Sequence, residues 1–111
     1  MKRRIDIRPQ TQSDLREIGD YSDAHWGRIQ AKLYLDAIAD TIDQIAAMPL
    51  AGSDQANVSP GLRKWRSGSH NIYYRTRDDA VLIVRIMHER MDVASARATL
   101  QGASVEYRPE I

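Results

Sequence analysis

The chain has 111 residues, enough for one domain that buries roughly 65% of the surface its unfolded form would expose. It has no cysteine, which excludes disulfides and thiolate metal sites, and no apolar run near the ~20 residues a bilayer span needs. The formal net charge of +1 conceals a segregated pattern of basic ends around an acidic middle.

Residues 1–12 carry Lys2, Arg3, Arg4 and Arg8 against Asp6 alone. Their basic start has no apolar stretch behind it, so it does not read as a signal peptide, and a soluble cytoplasmic protein with no membrane partner is expected. Within them, Ile5 and Ile7 alternate with polar neighbours, which predicts a short strand over Arg3–Arg8, ended by Pro9. Pro9 also suits the first position of a helix. Asp14 and Glu17, following Ser13, then place acidic side chains where a first turn would favour them, and Leu15, Ile18, Ser22 and Trp26 form one helical stripe. Gly27 is the expected stop.

A second helix is predicted from about Arg28 to Met48, with Ile29, Leu33, Ile38, Ile42 and Ile45 on its inner face. Asp36, Asp40 and Asp43 mark its outer face, and Pro49 ends it. The two helices make an αα-hairpin. Residues 50–60 read as a polar loop.

Residues 60–92 read as three strands with tight turns. Leu62–Ser67 is the first and Gly68 turns the chain. Ser69–Arg77 is the second, with His70, Ile72, Tyr74 and Thr76 on one face and Asn71, Tyr73 and Arg75 on the other. Asp78-Asp79 is a turn dipeptide. Ala80–His88 is the most apolar strand and is expected at the sheet centre, buried on both faces. Ile72, Tyr74, Val81, Ile83 and Ile86 are the expected floor of the core, with Trp26 and Tyr74 packed between hairpin and sheet. Asp92–Leu100 suits a short C-terminal helix capped by Asp92. The order β-α-α-β-β-β, with helices and strands not alternating, predicts an α+β fold with the hairpin on a mostly antiparallel sheet. The domain is expected over residues 1–100, with 101–111 as a tail.

His25, His70 and His88 lack metal-site spacing, no phosphate-binding glycine loop is present, and Ser67-Gly68-Ser69 is a turn rather than a nucleophile elbow. No metal, cofactor or catalytic residue is therefore assigned. Metal-independent RNA cleavage needs a base, an acid and cations for the phosphorane. Arg63, Arg66, Arg75, Arg85, His88 and Arg90 all fall on one small sheet, yet surface charge is the default for such residues. DNA reading is disfavoured, because the hairpin is acidic and offers no basic recognition helix.

Seven pieces in order carry a resemblance spanning Arg8 to about Leu100. They are Asp14-Leu15 with Ile18 and Tyr21; Trp26-Gly27; Gln30-Ala31 with Tyr34; Met48-Pro49 with Gly52; Pro60-Gly61-Leu62-Arg63; Ser69-His70 with Ile72-Tyr73-Tyr74-Arg75; and Val84 through Asp92. Together they resemble the ParE branch of the RelE/ParE toxin superfamily of type II toxin–antitoxin modules.

That resemblance implies a growth-arresting toxin that serves plasmid maintenance and poisons DNA gyrase by protein contact, without being an enzyme. It implies a ParD-like antitoxin, with toxin and antitoxin in a hetero-oligomer, a heterotetramer by expectation. Promoter DNA would be bound only through the antitoxin. Arg85, His88, Arg90 and Met91, at the end of the last strand, are the expected gyrase contacts. Leu15, Trp26 and Tyr34 are expected in an apolar groove for the antitoxin. Two alternatives stay open: a RelE-like messenger-RNA endoribonuclease, and a degenerate non-toxic member that only binds antitoxin. The first loses ground because Glu89, not a tyrosine, follows His88.

Overall fold

The computed structural model describes residues 2–91 together with Arg97 and Leu100. Seven elements follow in order: β1 (Arg4–Ile7), α1 (Pro9–Trp26), α2 (Arg28–Ala47), β2 (Ser53–Asp54), β3 (Arg63–Ser67), β4 (His70–Arg77) and β5 (Ala80–His88). They give the expected α+β architecture, two helices on a five-stranded sheet of order β1-β5-β4-β3-β2. β1 runs parallel to β5 and every other pairing is antiparallel. Strand β2, inside the stretch read as a loop, is an addition to the predicted order. Its two polar residues carry no apolar alternation and pair only with Arg63 and Lys64.

The hairpin faces one side of the sheet. Ile18, Ile38, Ile42, Ile45 and Ala46 meet Ile72, Tyr74, Val81, Ile83 and Ile86, the floor the pattern predicts. Each fully buried isoleucine contributes roughly 1.5–3 kcal/mol. The middle position of the sheet belongs to β4; β5 lies inside the sheet, between β1 and β4, and is buried on both faces as expected. Its far face joins a second core of Val58, Leu62, Tyr73, Leu82, Val84, Met87 and Leu100. The helix expected over 92–100 and the tail 101–111 fall outside the described residues, apart from helical Arg97 and Leu100.

Three helix readings are corrected. α1 begins at Pro9, so Asp14 and Glu17 lie beyond the first turn, which contains no acid. Asp14 is buried with Thr11, Ile18 and Ser22, a stripe one residue away from Leu15. Ile29 is 80% exposed and Leu33 is 58% exposed, because the contacts of α2 with the core begin only at Tyr34 and Leu35. Trp26 is 63% exposed rather than core. Spacing defines a helical stripe; it does not define how far along the helix a sheet extends to meet it.

β4 and β5 slip register between Tyr73 and Tyr74. Tyr73 lies opposite Arg85 and Tyr74 opposite Ile83, which leaves Val84 as a bulge. The extra residue lets Ile83 and Ile86, three apart, face the same helices. β1 pairs with β5 only as far as Ile83. Beyond it, side chains of α1 continue the hydrogen bonding. Thr11 Oγ1 lies 2.9 Å from the carbonyl oxygens of both Ile83 and Val84, and the Ile86 N–H donates to Asp14 Oδ2 at 3.0 Å. The buried Thr11 and Asp14 thereby satisfy an edge that would otherwise lack partners.

The arginines of β3 and β4 tie the loop after α2 to the sheet. Arg63 donates to the carbonyls of Leu50 and Gly52, and Arg75 donates to Pro60 O and Ser59 Oγ, each at 2.6 Å. The Tyr74 hydroxyl donates to Pro49 O at 2.8 Å and accepts the Gly52 N–H at 3.1 Å. Gly52 is required there, because a Cβ would collide with that hydroxyl.

Candidate functional site

At the end of β5, the β3–β4 turn, α1 and α2 enclose a cleft of about 510 Å³. Its rim is aromatic and apolar, made of Tyr21, Trp26 and Met91. Its floor holds Asp14, Tyr34, His70, Arg85 and His88. The side chains of the last turns of α1 pack on one another. Tyr21 stacks on His25 at 3.8 Å between ring centroids, and Trp26 sits edge-on to Tyr21 at 5.8 Å.

The floor is a connected set. The Ser69 N–H donates to Tyr34 Oη at 2.9 Å, and Tyr34 Oη lies 2.6 Å from His70 Nδ1. The His70 and His88 rings cross at 85° with centroids 5.3 Å apart. The Arg90 N–H donates to His88 Nδ1 at 3.0 Å. Arg85 donates to Asp14 through Nε at 2.9 Å and Nη2 at 3.0 Å, a bidentate pair that is nearly buried. Arg66 is paired with Glu89, the residue after His88.

The imidazole of His70 is held below the usual histidine value of 6.5, first by burial and second by its neighbour His88; Asp14 and Glu89 act in the opposite direction. The unfolded chain therefore takes up a proton below about pH 6.5 that the folded chain resists. The stability this group contributes is complete above that pH and is lost as pH falls through it toward the folded value. The urea midpoint is expected to decline between pH 7 and pH 5, and less so in His70→Gln. Equal declines in the two proteins would refute the assignment to His70.

Of the residues picked from the sequence, Trp26, Tyr34, Arg85, His88 and Met91 line this one cleft. Arg90 is exposed beside it. Leu15 lies elsewhere, in a separate apolar groove with Ile5, Ile7, Leu35 and Ile38. The expected gyrase and antitoxin residues are thus interleaved in one place, and the expected antitoxin groove is split in two. Sequence reasoning missed the grouping of His70 with Tyr34 and His88. The three are separated by 36 and 18 positions, and no local spacing signals a contact made by strand pairing. Among the described residues, no three metal-ligating side chains stand together, and no helix is long and apolar enough to cross a membrane.

Residues 5–93 match the family model described as ParE toxin of type II toxin–antitoxin system, parDE. Toxin ParE1 of Mycobacterium tuberculosis is 39% identical over 94 residues, covering 84% of this chain and 96% of the relative. Toxin ParE1 of Caulobacter vibrioides is 39% identical over 88 residues, covering 79% and 88%. Toxin ParE of Escherichia coli is 31% identical over 90 residues, covering 80% and 87%. Among solved structures, a chain of the chromosomal ParDE system from P. aeruginosa superposes with a TM-score of 0.69 at 17% identity, covering 78% of this chain and 96% of that one. The free E. coli toxin RelE, in mutant form, gives 0.64 at 14% identity, covering 95% and 99%. These two likenesses establish the shared fold. With the family model spanning most of the domain and relatives above 30% identity along nearly their whole length, this chain belongs to the ParE family of type II toxin–antitoxin toxins.

Proposed function

We propose that this toxin arrests growth by gripping DNA gyrase in the cytoplasm and stalling it on cleaved DNA, without catalysing a reaction itself, and that a ParD-like antitoxin neutralises it. The observation that carries this reading is the character of the cleft. It offers exposed aromatic and thioether surface for a protein partner. Four of the arginines that RNA cleavage would draw on are already engaged: Arg85 by Asp14, Arg66 by Glu89, and Arg63 and Arg75 by backbone carbonyls. Glu17 lines the cleft as well and would repel a phosphate chain.

The ribonuclease alternative draws on one specific observation, the His70–His88 pair beside Tyr34, which supplies the residue types for a base and an acid. A single assay separates the two readings. Purified toxin with gyrase and supercoiled plasmid is expected to accumulate cleaved complexes, suppressed by the cognate antitoxin. Messenger RNA degradation with gyrase unaffected would overturn the proposal. Neither activity, and no growth arrest on induction, would instead identify a degenerate member.

A further inference from the structure

We propose that the solvent face of α2 is a self-association surface, on which a second copy of this chain packs its own α2 antiparallel, crossing at Leu33. The buried face of the helix is made of Ala31, Ile38, Ile42, Ile45 and Ala46. Ile29, Leu33, Asp36 and Asp40 follow one another at intervals of four, three and four, so they share the opposite stripe, and all four are exposed. Ile29 is more exposed than any other large hydrophobic among the described residues. Neither Ile29 nor Leu33 lines the cleft, so the surface is separate from it and the proposal does not depend on what fills the cleft.

The charges on this face select the occupant. Arg28 and Lys32 stand beside the apolar half of the stripe, and Asp36 and Asp40 form its other half. Across the groove on the side of Arg28 and Lys32, α1 contributes Arg16, Asp20 and Asp23, a net of one negative charge that leaves the basic end in excess. Asp43, further along, is already held by Lys2. The face is therefore basic toward the N-terminus of α2 and acidic toward its C-terminus. A parallel copy would set like charge against like, which is costly. An antiparallel copy sets basic against acidic in both directions at once, and opposes the two helix dipoles as well.

A two-fold axis at Leu33 fits the side chains. It places Leu33 on its own counterpart and Ile29 on the second copy's Ala37, so a large side chain meets a small exposed one. Lys32 then approaches the second copy's Asp36, and symmetry repeats the contact. Within one chain Lys32 already donates to Asp36 at 2.9 Å, an exposed pair worth little alone. The dimer joins two such pairs into a ring of four alternating charges. Four aliphatic side chains make a small interface, so the dimer is expected to be weak and to grow in with concentration.

Sedimentation of the full chain from about 1 μM to about 1 mM tests this. The parent is expected to pass from monomer to dimer within that range. Leu33→Asp, which puts two carboxylates on the axis, should raise the dissociation constant about tenfold or more. Leu50→Asp, an exposed site off α2, should leave it unchanged. Lys32→Asp and Asp36→Lys should each weaken the dimer alone, yet a mixture of the two should form a heterodimer, because one face is then wholly acidic and the other wholly basic. Circular dichroism checks that each variant is folded. A parent that stays monomeric, a dimer indifferent to Leu33→Asp, or a mixture that fails to associate would each overturn the proposal.

Discussion

Asp14→Ala is expected to cost about 3–5 kcal/mol of stability, the usual penalty for removing one partner of a buried ion pair. Asp14 is buried and accepts three hydrogen bonds, two from Arg85 and one from the Ile86 N–H. Its removal strands a guanidinium whose side chain is only 18% exposed, together with a backbone donor at the point where β1 no longer covers β5. Out of a total stability of roughly 5–15 kcal/mol for such a domain, that loss is severe. It corresponds to a fall in Tm on the order of 15 °C or more. Asp14→Asn keeps acceptors for both partners and should lose less. Asp14→Leu combined with Arg85→Met should be more stable than Asp14→Ala alone, because no uncompensated charge remains. Chemical denaturation of the four proteins checks the order. A loss under about 1 kcal/mol for Asp14→Ala would mean that the pair is not holding α1 to the sheet. The same result bears on function, since Arg85 was expected to touch gyrase. If it is a strut, Arg85 variants lose toxicity in proportion to lost folding.

Trp26→Ala is expected to weaken antitoxin capture by about 2–4 kcal/mol, or roughly 30- to 1000-fold in Kd, with little change in Tm. Interface energy concentrates in a few large aromatic anchors, and Trp26 is the largest exposed side chain on the cleft rim. Its exposure means the free protein loses little core packing, so surface-like effects within about 0.5 kcal/mol are expected on stability. Ile29→Ala supplies the control: it is more exposed than Trp26 and lies near it on the chain, but it does not line the cleft. Titration calorimetry with the antitoxin should separate the two variants clearly. Equal affinity of Trp26→Ala and the parent would remove the cleft from the antitoxin interface and direct attention to the groove around Leu15, Leu35 and Ile38.

The sequence by itself determined every described element except β2, and the inner face of the sheet. Alternation along β4 marks Ile72 and Tyr74, and the apolar run of β5 supplies Val81, Ile83 and Ile86; all five are core, with the Val84 bulge turning Ile86 to the face of Ile83. Side-chain direction in a strand has a period of two, so pattern translates almost directly into burial. The family was legible for a related reason, since its signature pieces keep their order and spacing along the chain. Tertiary structure decided what pattern cannot encode. The apolar stripe on α2 continues through Ile29 and Leu33, yet the sheet ends before reaching them, so the same residue type is core at Ile38 and solvent-facing at Ile29. Thr11 and Asp14 look like ordinary polar residues of an amphipathic helix. They are buried because β1 stops at Ile7 and leaves β5 with backbone groups to satisfy. The Tyr34–His70–His88 cluster is the extreme case. It is assembled by strand register and by where the hairpin lies on the sheet, and both are set by contacts between residues far apart in the chain.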